Sequence, residues 1–317
     1  MKRALLVAAV LLGGCFGIVT PSSAPDDPSP GKWFVLAPMP TKRQEVGVAE
    51  AGGKVYVIGG LGDGLTASDV AEVYDPATDR WETRAPLPVA LHHPVAVGLN
   101  GKIYVLGGYT GRVSWTPEDT VFEYDAAANT WRQRAPMPTA RGGLAAAAVD
   151  GKIYVLGGAA GQSLNTHEVY EPVANRWSRA NPMPTPRDHL AAAALGGRVY
   201  AIGGRASLLG KQYANVEIYD PATDSWRVGA PLPLARGGLA AAALAGRIFV
   251  FGGELPLRIV SAAEMYDPAA DRWVTKAPMP TPRHGIGAAT VGTRIYVPAG
   301  ATRPGLGRTN VLEAFEP

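Results

Sequence analysis

The sequence predicts an all-β fold in which six four-stranded units form a closed ring. The segment GKIYVLGG at 101–108 recurs unchanged at 151–158. A tryptophan stands 27 residues before the last glycine of every copy, and this offset does not vary. A fixed period near 50 residues indicates one array of interdependent repeats rather than separate domains. The looser copies are KVYVIGG (54–60), RVYAIGG (198–204), RIFVFGG (247–253) and RIYVPAG (294–300).

Each unit is predicted to contain four strands, named A to D from the centre outwards. Strand A is small and apolar, as at 144–149, and strand B is the recurring segment itself. Strand C ends in an aromatic residue such as Tyr74, and strand D begins at a tryptophan such as Trp81, seven residues later. The alanine run at 145–148 favours a helix by propensity. Small side chains also suit an innermost strand where sheets converge on an axis, as in a β-propeller.

The length variation is confined to one loop per unit. Between the last glycine of strand B and the aromatic residue of strand C the separations are 14, 16, 12, 15, 13 and 15 residues. Because successive strands alternate in direction, the B–C loops share one face with the D–A segments. Variable loops gathered on one face predict that this face binds a ligand.

Four features of the unit are similar to those of kelch repeats: the Gly-Gly after strand B, the Tyr before the turn, the Trp seven residues later and an Arg that opens strand A. The resemblance covers residues 33–317 and implies a six-bladed kelch-type β-propeller. It implies no particular activity, because one fold carries many functions.

The two ends of the chain are incomplete as repeats. No A, B or C strand precedes Trp33, and the last unit ends at Pro317, before its expected tryptophan. We predict that the strand at Trp33–Leu36 joins the last blade as its D strand, because this pairing removes two open sheet edges.

Residues 1–15 have the pattern of a signal peptide, with a basic head at Lys2 and Arg3 and an apolar run too short to span a bilayer. The Leu-Gly-Gly-Cys at 12–15 resembles a bacterial lipobox, which predicts lipidation of Cys15. Residues 16–32 are rich in Pro, Ser and Asp and predict a disordered tether. We therefore expect an exported, membrane-anchored lipoprotein in the periplasm or on the cell surface. The alternative is plain secretion after cleavage at Ala24.

Charge and cysteine content limit the classes of partner and the kinds of cross-link that the protein can have. The chain has 30 Lys and Arg against 27 Asp and Glu, a net charge of +3 that falls to +1 without Lys2 and Arg3. A near-neutral domain without a basic run argues against nucleic-acid binding. With Cys15 as the single cysteine, the mature fold can contain no internal disulfide. We expect a monomer without a cofactor, and we assign no metal.

An arginine opens strand A in five of the six units, and Leu91 takes that place in the second unit. A residue repeated in every unit usually serves the unit, here by bonding backbone carbonyls near the axis. Alternatively, as a group these side chains could give the channel a positive mouth suited to anions. The five are Arg43, Arg141, Arg187, Arg236 and Arg283.

The two positions after this arginine hold four of the five histidines. We expect His284, Glu45 and either His92 or His93 to share one sector of the channel mouth, with Asp188 and His189 facing them. Two histidines and a carboxylate can form a metal site or a general acid–base pair. The alternative is a set of exposed polar residues around a solvated channel. His167 lies outside this register and is assigned no role.

The B–C loops supply further binding candidates. Arginines beside exposed aromatic residues suit stacking on sugars or the binding of a peptide. Trp115 has a second interpretation, in which it merely covers its own long loop. The loop candidates are Tyr109, Arg112, Trp115, Arg205, Lys211, Tyr213, Glu254, Arg258, Arg303 and Arg308.

The sequence leaves two functions open. The first is a non-catalytic module that binds a protein or glycan partner, as kelch propellers often do. The second is a carbohydrate-active enzyme, because the architecture resembles the bacterial periplasmic kelch epimerase that acts on sialic acid. In that case arginines would hold the carboxylate, and Glu45, His92 or His189 would move protons. Copper chemistry of the galactose-oxidase type is disfavoured, since the lone cysteine lies in the export segment.

Overall fold

The computed structural model describes residues 29–112, 114–207 and 210–317. Within these residues, six antiparallel four-stranded sheets surround a central channel, and the helical content is one 3-10 turn at Asp63–Leu65. The all-β, six-bladed prediction is confirmed. The predicted signal peptide, Cys15 and residues 16–28 of the tether lie outside the described residues. No helix in the described ranges has the length and apolarity to cross a membrane.

The strands follow the predicted A-to-D order. The A strands are Gly47–Ala51, Val95–Leu99, Ala145–Val149, Ala191–Leu195, Ala240–Leu244 and Ala289–Val291. The B strands are Lys54–Ile58, Lys102–Leu106, Lys152–Leu156, Arg198–Ile202, Arg247–Phe251 and Arg294–Pro298. The C strands are Ala71–Asp75, Val121–Asp125, His167–Glu171, Val216–Asp220, Ala263–Asp267 and Leu312–Glu316. The D strands are Arg80–Thr83, Thr130–Gln133, Arg176–Arg179, Ser225–Gly229, Arg272–Thr275 and Lys32–Val35.

The innermost strands contain small residues because they approach one another closely around the axis. A Cβ atom on Gly98 would lie 2.0 Å from the carbonyl oxygen of Glu50 in the neighbouring blade, so only glycine fits there. In the strand Ala145–Val149, alternate residues are buried and the others are only half-buried. The alanine runs are therefore strands, since packing around the ring overrides their helical propensity.

Adjacent blades are joined by the tryptophan at the second position of each D strand. Trp81 packs on Tyr74 of its own blade, with ring centroids 5.3 Å apart, and donates its indole N–H to the carbonyl of Ala37 at 2.8 Å. The same bond, at 2.8 to 2.9 Å, recurs around the whole ring. The other pairs are Trp33–Ala277, Trp131–Ala85, Trp177–Ala135, Trp226–Asn181 and Trp273–Ala230.

The ring is closed by the first strand of the domain. Lys32–Val35 pairs antiparallel with Leu312–Glu316, with Trp33 opposite Phe315. The Trp33 ring also meets the edge of Phe251 at 5.4 Å. The predicted closure is confirmed, with the strand starting and ending one residue earlier than expected. The chain thereby fastens its first blade to its last.

One face of the propeller carries all the B–C loops, and we call it the loop face. In every blade the D–A segment forms a β-bridge with the start of the B–C loop, as Asp188 does with Arg205 in blade four. The other bridges are Gln44–Leu61, His92–Tyr109, Gly142–Ala159, Gly237–Glu254 and His284–Ala301. D–A segments and B–C loops therefore lie together, as predicted. Hairpins form in the B–C loops of blades two, five and six: Tyr109–Thr110 with Thr116–Pro117, Glu254–Leu255 with Arg258–Ile259, and Ala301–Arg303 with Leu306–Arg308.

Candidate functional site

A circle of backbone hydrogen bonds encloses the channel on the loop face, and we call its six residues the mouth ring. Each residue donates its N–H to the carbonyl oxygen of its counterpart in the preceding blade, at 2.8 to 3.1 Å. Because the donor in blade one bonds to the acceptor in blade six, the circle is complete. The members are Glu45, His93, Gly143, His189, Gly238 and Gly285.

The backbone of the mouth ring is left-handed at every position, with φ between 50° and 67°. Glycine adopts this conformation freely, whereas other residues adopt it rarely and at a cost. Three blades accordingly carry glycine. The other three carry Glu45, His93 and His189, whose side chains point towards one another.

The side chains of Glu45, His93 and His189 converge on one point. Their potential ligand atoms all lie within 4.8 Å of one another. Nε2 of His93 is 3.5 Å from Oε2 of Glu45, and the two imidazole rings are 5.0 Å apart. The sequence placed His189 across the mouth, but the circle is narrow enough to bring it into this cluster. Beneath it lies a channel cavity of about 170 Å³ lined by the apolar A strands.

A second layer of polar groups orients the two histidines. Nδ1 of His189 donates to Oδ1 of Asp188 at 2.6 Å, and the Ser163 hydroxyl donates to the other carboxylate oxygen. Nδ1 of His93 lies 2.6 Å from Nδ1 of His92, so one of these two nitrogens carries the shared hydrogen. In both imidazoles of the cluster, Nε2 is the atom left to face the axis.

The remaining sector is a buried ion-pair network. His284 lies between two carboxylates, 3.5 Å from Oε1 of Glu45 and 3.4 Å from Oε2 of Glu254. Arg205 pairs with Glu254, and its Nε is 3.7 Å from Asp188. The predicted sector of His284, Glu45 and His93 therefore exists, and Arg205 and Glu254 extend it from the loops of blades four and five.

The electrostatics of the mouth separate charged from neutral groups. Burial pulls the pKa of His93 well below its usual range despite the nearby charge of Glu45. Burial also lowers the pKa of His92 to about 4. Burial alone would raise the pKa of Glu45, but the imidazoles around it, His93 first, hold it well below its ordinary value. At pH 7 Glu45 is therefore an ionised carboxylate among several imidazoles.

The strand-A arginines do not line the mouth. Their side chains are fully buried inside the blades, where they donate to backbone carbonyls and to a glutamate on strand C. They therefore give the channel no positive lining and fit the structural interpretation. The pairs are Arg43–Glu72, Arg141–Glu168, Arg187–Glu217, Arg236–Glu264 and Arg283–Glu313.

Sequence reasoning missed the glutamate partners, although the chain contains the signal for them. A glutamate stands two residues before the strand-C aromatic in five units. The exception is Phe122, in the same unit where Leu91 replaces the arginine. Both residues are buried in one apolar cluster. Because the arginine and the glutamate are both missing from blade two, the two residues are identified as a pair.

Comparison with protein families agrees with the architecture. A family model described as the KLHDC2/KLHL20/DRC7 Kelch-repeats domain matches residues 32–183 and 93–300. The chain belongs to the kelch-repeat family. Kelch propellers generally mediate protein binding, so the family gives a class of function rather than a partner. No match to a curated protein was found.

Trp115 is the most prominent aromatic residue on the loop face of this kelch propeller. It lies against the rings of His92, His93 and Tyr109, with centroids 4.7 to 5.5 Å away, and 46% of its surface is exposed. Tyr109 is buried and donates its hydroxyl to the carbonyl of Ala159 in blade three at 2.8 Å. Trp115 thus covers the mouth residues with one side and faces solvent with the other.

The other loop candidates divide into anchors and exposed cations. Arg308 pairs with Asp63 of blade one, and Arg112 donates to the carbonyl of Gly64 at 2.9 Å, so both connect neighbouring loops. The ammonium of Lys211 lies 5.1 Å from the half-buried ring of Tyr213. Arg205 and Glu254, predicted as loop contacts, are buried in the mouth network. Arg258 and Arg303 are exposed.

Proposed function

We propose that this kelch propeller is an exported, lipid-anchored module that binds a protein partner through its loop face. The proposal rests on Trp115, whose ring packs on His92, His93 and Tyr109 on one side and is exposed to solvent on the other. A rigid aromatic side chain that is fixed underneath and open above is the usual form of a binding hot spot, because little side-chain freedom is lost on binding.

A second apolar group supports a protein as the partner. Leu257, at the tip of the blade-five hairpin, is 68% exposed. It lies on the same face as Trp115 but across the channel. Exposed cations lie near Leu257: Arg258 in the same blade-five hairpin and Arg303 in the loop of blade six. Two separated apolar anchors with basic groups beside them suit an extended protein segment that has acidic residues next to its apolar ones.

Site-specific photocrosslinking in the native cells tests the proposal. A photoreactive phenylalanine derivative at Trp115 and at Leu257 is expected to form a covalent adduct with the same protein. The matched control is Val173, which is 99% exposed in a C–D turn on the opposite face. Equal crosslinking at all three positions, or no adduct at Trp115 and Leu257, would remove the support for this face.

The membrane anchor is a separate part of the proposal with its own test. The Leu-Gly-Gly-Cys segment at 12–15 and the Pro- and Ser-rich stretch after it support lipidation at Cys15 and a spacer from the membrane. Metabolic labelling with a palmitate analogue is expected to mark the wild-type chain and not Cys15→Ser. Release of unlabelled wild-type protein into the medium would instead indicate plain secretion.

A carbohydrate-active enzyme remains the second candidate because ionised Glu45 and several imidazoles meet at an enclosed mouth. The proposed carboxylate-binding arginines, however, are inside the blades and cannot reach a substrate there. Exchange between the anomers of sialic acid, followed by proton NMR with and without the protein, tests this candidate. Acceleration that is lost in Glu45→Gln would favour the enzyme over the binding module.

A further inference from the structure

We propose that Glu45, His93 and His189 form a binding site for a divalent transition-metal ion, with zinc as the leading candidate, at the mouth of the channel. One carboxylate and two imidazoles are a ligand set that suits such an ion and leaves a coordination position open. Nothing in the kelch fold itself requires these three side chains, since the corresponding residues in the other three blades are glycines.

The spacing of the donor atoms fits an ion after a small contraction. Four ligands placed about 2.0–2.1 Å from zinc in a tetrahedron lie about 3.4 Å from one another. The 3.5 Å between Nε2 of His93 and Oε2 of Glu45 already has this length. The full set of donor atoms lies within 4.8 Å, so His189 has to move inwards by little more than 1 Å.

One donor atom is buried without a protein partner. Nε2 of His189 forms no hydrogen bond with any described residue, although water is excluded from it and the side chain is 91% buried. A buried nitrogen left unpaired destabilises the fold unless something else binds it. Since this nitrogen faces Glu45 and His93, an ion at their centre would supply the missing partner.

The second layer already has the arrangement that metal-bound histidines need. Asp188 accepts the Nδ1 hydrogen of His189, which leaves the lone pair on Nε2. His92 can accept the Nδ1 hydrogen of His93 in the same way. Carboxylate or imidazole partners of this kind fix the tautomer and orientation of ligating histidines.

The charge of the mouth also favours a cation. Within the described residues, Arg205 contacts the carboxylates of Asp188 and Glu254, and His284 lies between Glu254 and Glu45. Three carboxylates therefore meet one guanidinium and one imidazole, so the acidic groups outnumber the cations even when His284 is protonated. Uncompensated carboxylates are costly in a buried site. A divalent ion on the Glu45 side would offset the excess, and its open coordination position would face the channel cavity.

The strained backbone offers a clean variant for the test. His189→Gly places at this position the residue that blades three, five and six already carry, and it relieves a left-handed φ of 50°. The fold should therefore survive while a ligand is lost. Glu45→Gln is a second variant, which keeps the shape of the side chain but removes its charge.

The experiment is calorimetric titration of the EDTA-treated full chain with Zn²⁺, with metal analysis of the dialysed protein. We expect one ion per chain, and at least a 100-fold loss of affinity in His189→Gly and in Glu45→Gln. His167→Phe, which removes a buried histidine far from the mouth, should bind as the wild type does. With Co²⁺ as the probe, the visible spectrum should show a low-coordinate ion that is lost in the same two variants.

Two results would overturn the proposal. The first is the absence of stoichiometric Zn²⁺ binding to wild-type protein that is folded by circular dichroism. The second is wild-type affinity in folded His189→Gly and Glu45→Gln, which would place any bound metal elsewhere on the chain.

Discussion

At the scale of single residues, Leu91 and Phe122 form an apolar pair at the positions where the other five blades hold a buried ion pair. In five blades the same two positions hold an arginine and a glutamate, both fully or nearly fully buried. A buried ion pair is often no more stabilising than an apolar pair of similar volume, whereas a single buried charge is strongly destabilising. Blade two is a natural example of the apolar alternative within the same chain.

This comparison gives a stability prediction for blade three. Glu168→Leu should lower the free energy of unfolding by about 3–5 kcal/mol, because Arg141 would stay buried without its carboxylate. The Thr139 hydroxyl also donates to Glu168, at 2.7 Å, and blade two has Val89 in its place. The triple variant Thr139→Val, Arg141→Leu, Glu168→Phe therefore copies blade two and should recover most of that loss. Urea unfolding at pH 7 measures both. A triple variant no more stable than the single one would show that the pair is needed for more than charge balance.

His167 gives a second prediction at this scale. It starts strand C of blade three, where the other blades have Ala, Val or Leu, and it packs on Tyr219 with ring centroids 4.4 Å apart. Burial lowers its pKa to about 4, against about 6.5 in an unfolded chain. The folded state therefore resists protonation. The contribution of neutral His167 to the free energy of unfolding is fully present above pH 6.5. It is lost as the pH falls towards 4, by about 3 kcal/mol in total.

The His167→Phe variant should lose this dependence. Phenylalanine keeps the aromatic packing, and the Asn181 carbonyl that His167 bonds still accepts the Trp226 indole N–H at 2.9 Å. Urea unfolding at several pH values between 7 and 4 should show that the free energy of unfolding depends less on pH in the variant than in the wild type. Parallel curves would mean that His167 is already protonated, or free to be, in the folded protein.

At the scale of elements, the sequence was most informative where the repeat is rigid. The offset from tryptophan to glycine is constant because both residues are packed: the tryptophan against the adjoining blade, and the glycine against its own D–A segment, where a Cβ atom on Gly108 would lie 2.9 Å from the His92 carbonyl oxygen. Strands A to D could therefore be located from spacing alone. The hairpins within the B–C loops could not, since each loop differs in length and composition. The mouth ring was also missed in part. Its register was visible, but the left-handed backbone that turns Glu45, His93 and His189 inwards depends on contacts between blades.

The mouth ring can be tested as an element through its glycines. A Cβ atom on Gly285 would lie 2.5 Å from Oε1 of Glu45, at a φ of 59°. Gly292 has nearly the same φ, 60°, but nothing within 4 Å of such an atom. Gly292→Ala should therefore cost about 1 kcal/mol of strain, and Gly285→Ala clearly more, because it adds a clash to the same strain. Equal melting temperatures for the two variants would show that the ring is not packed as described.

At the scale of the whole molecule, the position of the mouth depends on closure of the ring. The hydrogen bond from Glu45 to the carbonyl of Gly285 joins blade one to blade six. The same two blades are held together by the strand Lys32–Val35, which completes the last blade and from which the chain runs on into the first. The geometry of the candidate site and of the binding face therefore depends on the pairing of the first strand with the last blade.

Thermal unfolding of a chain without residues 29–36 tests this closure most directly, with a chain that begins at residue 29 as the control. The deletion removes Trp33 from its contacts with Phe251 and Phe315 and leaves an open edge on the last blade. We predict a loss of about 5 kcal/mol or more and a fall in melting temperature of about 10 °C. A deleted chain that melts at the temperature of the control would contradict the closed ring.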